Sequence, residues 1–212
     1  MARDTRQRIL DCALTMFNAR GEPTVTTNHI AEELEISPGN LYYHFRNKDD
    51  IIEHLFARYE SRMDDALTPP DGRLPGLEDL WLELHRVFEC IWEYRFFYRD
   101  LLEILSRNRR LRVRFARILQ RADDRAHAVM RGMSQAGIVD AAPAEIDAAS
   151  TNLLVLATFW LNYAAIRGDR DERAAIREGI VQVMMLLSPF LRDAERAQLG
   201  RLIRAYTTPP PG

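Results

Sequence analysis

The sequence predicts an all-α chain, a small N-terminal head of short helices followed by a larger helical domain. Three observations carry that expectation. Apolar residues recur at helical spacing along most of the 212 residues, beginning with Ile9, Ala13, Met16 and Phe17. No stretch alternates in the manner of a half-buried strand. Glycine and proline gather between the periodic segments instead of within them.

Each element follows from local chemistry. The first helix ends at Gly21, with Pro23 just beyond, both stop signals. A short helix opens at Thr26-Thr27 and carries Ile30, Ala31 and Leu34. After a tight turn at Glu35-Ile36, Ser37 and Pro38 read as N-cap and first-turn proline of another short helix, Pro38 to His44. A fourth runs from Lys48 to about Leu67 with Ile51, Ile52, Leu55, Phe56 and Tyr59. Thr68 to Gly76 is Pro- and Gly-rich and cannot continue a helix. Helices resume at Leu77. A separate short one is expected over Phe96–Leu105 and long ones over Asn108–Gln135, Glu145–Arg167 and Asp171–Leu187. A shorter one over Asp193–Tyr206 precedes a Pro-rich tail expected to fray.

Composition narrows the class. Apolar residues make up 47% and charged residues 28%, ordinary for a soluble globular protein. The two cysteines, Cys12 and Cys90, are far apart, so neither a disulfide framework nor a cysteine metal site is expected, and a reducing cytoplasm fits. No uninterrupted apolar run reaches about 18 residues, so no membrane-spanning helix is expected. The net charge of −2 gives no whole-molecule field toward nucleic acid. Any such reading must come from local features. Lys48 is the only lysine.

Thr26 to His44 has the layout of a helix-turn-helix. Leu34, Ile36, Leu41 and Phe45 are placed to bury the turn and dock the second helix. That helix then presents Ser37, Pro38, Gly39, Asn40, Tyr42, Tyr43 and His44, small, hydrogen-bonding and aromatic groups with no acid among them. Such a surface suits a major groove. Asn40 and Tyr42 are expected at base edges. Thr27, Tyr43, His44 and Lys48 are expected at phosphates, and Thr26 caps a helix N-terminus that favours one.

The run Thr26 to Lys48, with its T-x-x-x-I-A start, its Leu41-Tyr42-Tyr43-His44-Phe45 core and its Asn47-Lys48-Asp49 close, strongly resembles the N-terminal domain of the TetR/AcrR family of bacterial transcriptional regulators. The match covers about Thr5 to Phe56. It implies a helix-turn-helix DNA-binding domain (residues 1–48) and a helical ligand-binding and dimerisation domain (49–212), joined by the helix 48–67. It also implies a homodimer on double-stranded DNA with a palindromic operator, most commonly a repressor released by a small-molecule effector. A four-helix dimer interface from the last two long helices is implied as well. One departure is Glu35, where such regulators usually place glycine. A left-handed Glu35 costs on the order of 1 kcal/mol.

Periodicity agrees with burial on two sides for the helix Glu145–Arg167. One stripe holds Ile146, Ala149, Leu153, Leu156 and Trp160, another Leu154, Leu161 and Ala165. Leu153, Leu156 and Trp160, with Val183 and Leu187 of the next helix, are the expected dimer interface. Phe88, Trp92, Met130, Phe159 and Tyr163 are expected to line a pocket for an apolar or aromatic effector.

Arg107, Arg110, Arg114, Arg117 and Arg121 fall on one helical stripe with no acid between them. Same-sign neighbours repel, so acids such as Asp49, Asp50 or Glu53, or DNA phosphates, are expected to compensate. The first arrangement makes a latch between domains, and screening over roughly 8–10 Å favours it over distant phosphates. Enzyme signals are poor. No G-x-S-x-G, P-loop, dinucleotide-binding glycine pattern or H-E-x-x-H occurs. His85 and Glu89 at i, i+4 make at most two metal ligands. No catalysis, cofactor, metal or membrane partner is expected.

Overall fold

The computed structural model describes residues 2–68, 74–168 and 171–207. Among them are eleven α-helices, a single 3₁₀ turn (Ser188–Phe190) and no strand, only an isolated bridge between Val139 and Leu191. The head comprises α1 (Ala2–Arg20), α2 (Thr27–Glu33) and α3 (Pro38–His44). A connecting helix, α4 (Lys48–Ala66), leads to α5 (Leu77–Glu93), α6 (Arg95–Arg99), α7 (Leu101–Arg107), α8 (Arg109–Gln135), α9 (Pro143–Arg167), α10 (Glu172–Leu187) and α11 (Asp193–Thr207). The Pro-rich tail from Thr208 lies outside the described residues, as do 69–73 of the Thr68–Gly76 break.

Two boundaries differ from expectation for local reasons. The segment Phe96–Leu105 is two helices that meet at Asp100. Its carboxylate is drawn away to accept the Glu22 backbone N–H at 3.2 Å, and aspartate is a poor helix-interior residue. Helix α9 starts at Pro143, where proline's fixed φ suits the first turn, and Glu145 accepts the Ala142 N–H at 2.7 Å.

One core runs through the head, α4 and the larger domain. Ile51, Ile52 and Leu55 of α4 are buried beside Ile9, Phe17 and Leu41 of the head. Phe56 and Tyr59 stand in an aromatic cluster with Tyr94, Phe97, Tyr98 and Phe115, ring centres 5.4–6.5 Å apart. The hydroxyls of Tyr59 and Tyr98 meet at 2.7 Å in full burial, which pushes both phenols upward and holds them neutral. In α10, Gly179 admits its neighbour: a Cβ there would stand 2.6 Å from both Phe88 and Trp160.

Helix α9 is the most apolar of the long helices among the described residues. By length and mean hydropathy it is apolar enough to cross a membrane, because its charged residues, Glu145, Asp147 and Arg167, lie near its two ends. About 33% of that stretch is buried within the chain, where α9 packs against α8 and α10.

Candidate nucleic-acid interface and regulatory cavity

The head is built by caps. The Thr26 hydroxyl accepts the His29 N–H at 3.2 Å, and His29 Nδ1 accepts the Thr26 N–H in return, a reciprocal closure of α2. The Ser37 hydroxyl accepts the Asn40 N–H at 3.2 Å, with Pro38 in the first turn of α3. Leu41 and Phe45, 0% and 1% exposed, dock α3 on the core. The turn between α2 and α3 is closed by Glu35 in the left-handed region, φ +54°.

Docking leaves one face of α3 in solvent. Ser37, Pro38, Gly39 and Asn40 are exposed. Tyr42 is 49% exposed and Tyr43 81%. The Tyr42 hydroxyl lies 3.0 Å from Thr27 Oγ1, so it is oriented by α2. His44 is half-buried, edge-on to Tyr43 at 5.1 Å. These residues form one contiguous strip of uncharged donors, acceptors and rings. The hydroxyls of Thr26 and Ser37 are committed to caps.

Lys48 stands apart from this strip, contrary to expectation. Its ammonium reaches inward to the carbonyls of Glu22 and Val25, both at 3.0 Å, and to Glu22 Oε1 at 2.8 Å. Three donors meet three internal oxygens. Asn47, beside Lys48, takes a role that its motif did not reveal: it is the N-cap of α4, and its side chain accepts the Asp50 N–H at 2.8 Å. The Asx cap before an acidic first turn was the available signal.

The arginine stripe faces α4. Arg107 lies 2.7 Å from Glu22 and 3.6 Å from Asp49, Arg110 3.4 Å from Glu53, Arg114 2.7 Å from Glu60 and Arg121 2.7 Å from Asp64. Asp50 is taken up locally, accepting the Arg46 N–H at 3.0 Å. Arg117 is exposed.

A second site lies at the far end of α4. Leu67, its C-cap, joins Leu80, Leu84 and Val87 of α5, Ala126 and Met130 of α8, Leu153 and Ala157 of α9 and Val183 of α10 around a cavity of about 80 Å³. The one acid in the wall, Glu83, is matched by Arg125, whose Nε donates to both carboxylate oxygens at 3.0 and 3.1 Å. Burial pushes the Glu83 carboxyl up, and Arg125 opposes that shift.

The expected pocket set divides. Met130 lines the cavity. Phe88 is fully buried in the core beside Gly179, and Trp92 stacks under Arg95 at 4.1 Å. Phe159 and Tyr163 point outward, 43% and 55% exposed. The expected dimer set is corrected in the opposite sense. Leu153, Trp160, Val183 and Leu187 are only 8%, 4%, 1% and 0% exposed, because they pack inside their own chain; Leu156 is half-buried. Trp160 Nε1 donates to the Ala175 carbonyl at 2.6 Å, a further internal tie. The apolar face left in solvent is Val155, Phe159, Tyr163 and Ile166 of α9 with Met185 of α10. Helix α9 is apolar around its girth, so periodicity marked two stripes without saying which was internal.

A capped helix-turn-helix on a larger helical domain defines a class, the helical DNA-binding proteins. Residues 9–55 match the family model described as bacterial regulatory proteins, tetR family, and residues 58–199 match the model described as bacterial transcriptional repressor. The chain belongs to the TetR family of bacterial transcriptional regulators, a DNA-binding family. A crystallised TetR-family regulator from Marinobacter aquaeolei VT8 is 38% identical over 96% of this chain and 99% of its own, with a TM-score of 0.88. YvkB of Bacillus subtilis, an uncharacterised regulator of the helix-turn-helix type, is 29% identical over 50% of this chain. TtgW of Pseudomonas putida is 35% identical over 34%. The matches span about half the length of these two relatives, 52% and 53%. SmeT in complex with triclosan shares the fold, with a TM-score of 0.60, 22% identity and coverage of 91% of this chain and 94% of its own.

Proposed function

We propose that the chain is a homodimeric repressor that reads a palindromic operator through α3 and releases it when an uncharged apolar or aromatic effector enters the cavity beside Leu67. The observation that carries this reading is the position of that cavity: it touches the C-cap of the helix whose first residues support the head. Its volume, about 80 Å³, is below the roughly 150 Å³ that admits benzene. An occupant therefore has to displace the walls, and Leu67 is one of them. The ion pairs from α8 to α4 carry a wall movement along α4 as a latch between the domains. Because Arg125 matches Glu83, the wall has no unpaired charge, and this favours an uncharged ligand.

The second copy is argued from the outward face of α9 and α10. Five large apolar side chains between 43% and 87% exposed make a contiguous patch that a monomer rarely carries. A two-fold dimer through it presents two α3 helices to successive turns of DNA. Asn40 and Tyr42 meet bases. Thr27, Tyr43, His44 and the N-terminus of α2 at Thr26 meet phosphates.

The test is selection of duplexes from a random pool, followed by titration of the complex with triclosan as a neutral aromatic probe. A preferred palindromic sequence bound at least about 10³-fold above random duplex supports the reading. Linkage requires triclosan to bind more weakly in the presence of that duplex by the same factor by which it weakens DNA binding. Equal triclosan affinity with and without the duplex excludes it as an inducer, and a chain that prefers no sequence sinks the operator reading.

A further inference from the structure

The corner between α1 and α2 holds a carboxylate that the exposed strip of α3 does not use. Glu22 is 0% exposed. Its Oε1 is shared by two cations from different parts of the chain, Lys48 Nζ at 2.8 Å and Arg107 Nη2 at 2.7 Å. Lys48 is the first residue of α4 and Arg107 the last of α7. Lys48 also holds the carbonyl of Val25, the residue before the N-cap of α2, and so fixes where the helix-turn-helix begins.

The same corner is tied to the larger domain by further hydrogen bonds. The Glu22 N–H donates to Asp100 at 3.2 Å. Asn18, one turn earlier, donates from its amide to the Glu93 carbonyl at 2.8 Å and accepts the Phe96 N–H at 3.1 Å. Its own carbonyl accepts from Arg99 at 2.8 Å. The end of α1 thus meets α5, α6 and α7 directly, by a route that does not pass along α4.

A buried carboxylate is tolerated only while its cations stay in place. If the α7–α8 corner moves, Arg107 moves with it. Glu22 then either follows or is left with Lys48 alone. We propose that Glu22 is a positioning residue for the DNA-reading helix: through Lys48 it sets the start of α4 and of α2, and through Arg107 it makes that setting answer to the regulatory domain. The inference rests on α3 being the helix that reads DNA. It assigns Lys48 an internal role in place of the phosphate contact that its position in the sequence suggests.

The test uses the full chain, a duplex selected by the wild-type protein and a random duplex of equal length. Three variants are compared, Arg107→Gln, Arg107→Lys and Lys48→Gln, each checked by circular dichroism and thermal melting. Arg107→Gln is expected to weaken binding to the selected duplex by roughly three- to thirty-fold, the size of couplings carried through contact networks. Binding to random duplex is unchanged. Arg107→Lys, which retains a cation on Glu22, restores the affinity; a purely steric role for arginine would not be rescued. Lys48→Gln weakens the selected duplex without changing the salt slope on either duplex. A slope lowered by about one unit on both would assign Lys48 to a phosphate and overturn the proposal. An Arg107→Gln protein that binds like wild type overturns it as well, while leaving the reading of α3 intact. A wild-type chain that selects no sequence overturns the reading of α3 itself, and this inference with it.

Discussion

Arg114 and Glu60 join α8 to α4 through one oxygen: Nε and Nη2 of the guanidinium donate to Glu60 Oε2 at 3.2 and 2.7 Å. The guanidinium carbon also lies 4.9 Å from the centre of the Phe56 ring. The two side chains are 22% and 25% exposed, whereas Arg110 opposite Glu53 is 77% exposed. Exposed pairs contribute about 0.2–1 kcal/mol. A double-mutant cycle of Arg114→Gln with Glu60→Gln is expected to give a coupling toward the upper end of that range, measured by denaturant unfolding. The salt slope of DNA binding stays unchanged, because the arginine is spent on α4. A coupling within error of zero removes the latch.

Glu35 stores strain that one substitution relieves. Its φ of +54° places a β-carbon where L-residues pay roughly 1 kcal/mol. Glycine avoids that cost but adds freedom to the unfolded chain. Glu35→Gly is therefore expected to raise stability by up to about 0.6 kcal/mol, seen as a slightly higher thermal midpoint with unchanged DNA affinity. A lower midpoint would show that the Glu35 side chain contributes more than its backbone costs.

The head was legible because its signals are local. Caps at Thr26 and Ser37, the proline at 38 and the dock of Leu41 and Phe45 are all settled within a few residues. The strained turn could be read from one misplaced residue type. The internal partners of Lys48 were not legible, because Glu22 and Val25 lie 26 and 23 residues away and sequence spacing does not show which way a lysine turns. The two faces of α9 were not told apart for a related reason: Phe159 and Trp160 are both apolar, and only the packing of α10 at Gly179 decides that Trp160 is internal.

That reassignment has its own test. Ile166 and Phe159 are 87% and 43% exposed in the single chain, so a charge there costs the fold little. Ile166→Glu and Phe159→Glu are expected to yield a helical monomer by sedimentation, with DNA binding reduced. Trp160→Glu, at a position 4% exposed, is expected to unfold the chain instead. If Phe159→Glu sediments like wild type, the dimer lies elsewhere.

The two cysteines should differ in reactivity. Burial pushes the Cys90 thiol up to about 12, with Glu93 adding to the shift, and Cys90 is 2% exposed. Since the thiolate is the nucleophile, almost none is present at pH 8. A disulfide reagent at that pH is expected to leave Cys90 unmodified in the folded protein and to modify both Cys12 and Cys90 in denaturant. Prompt labelling of Cys90 in the folded state would mean that α4 and α5 separate readily there.

The cavity beside Leu67 can be closed from α8. Ala126 lines it, and leucine suits a helix as nearly as well as alanine. A cavity of about 80 Å³ at about 24 cal/mol per Å³ forgoes roughly 2 kcal/mol, an upper bound on what filling it returns. Overpacking costs typically about 1–3 kcal/mol, so Ala126→Leu is expected to change stability by less than either term alone. Its effect on signalling is expected to be larger. With the space occupied and Leu67 held, triclosan should fail to release the selected duplex, while the affinity for that duplex in the absence of triclosan stays at the wild-type value. Release by triclosan at wild-type concentrations from an Ala126→Leu protein would place the effector outside this cavity.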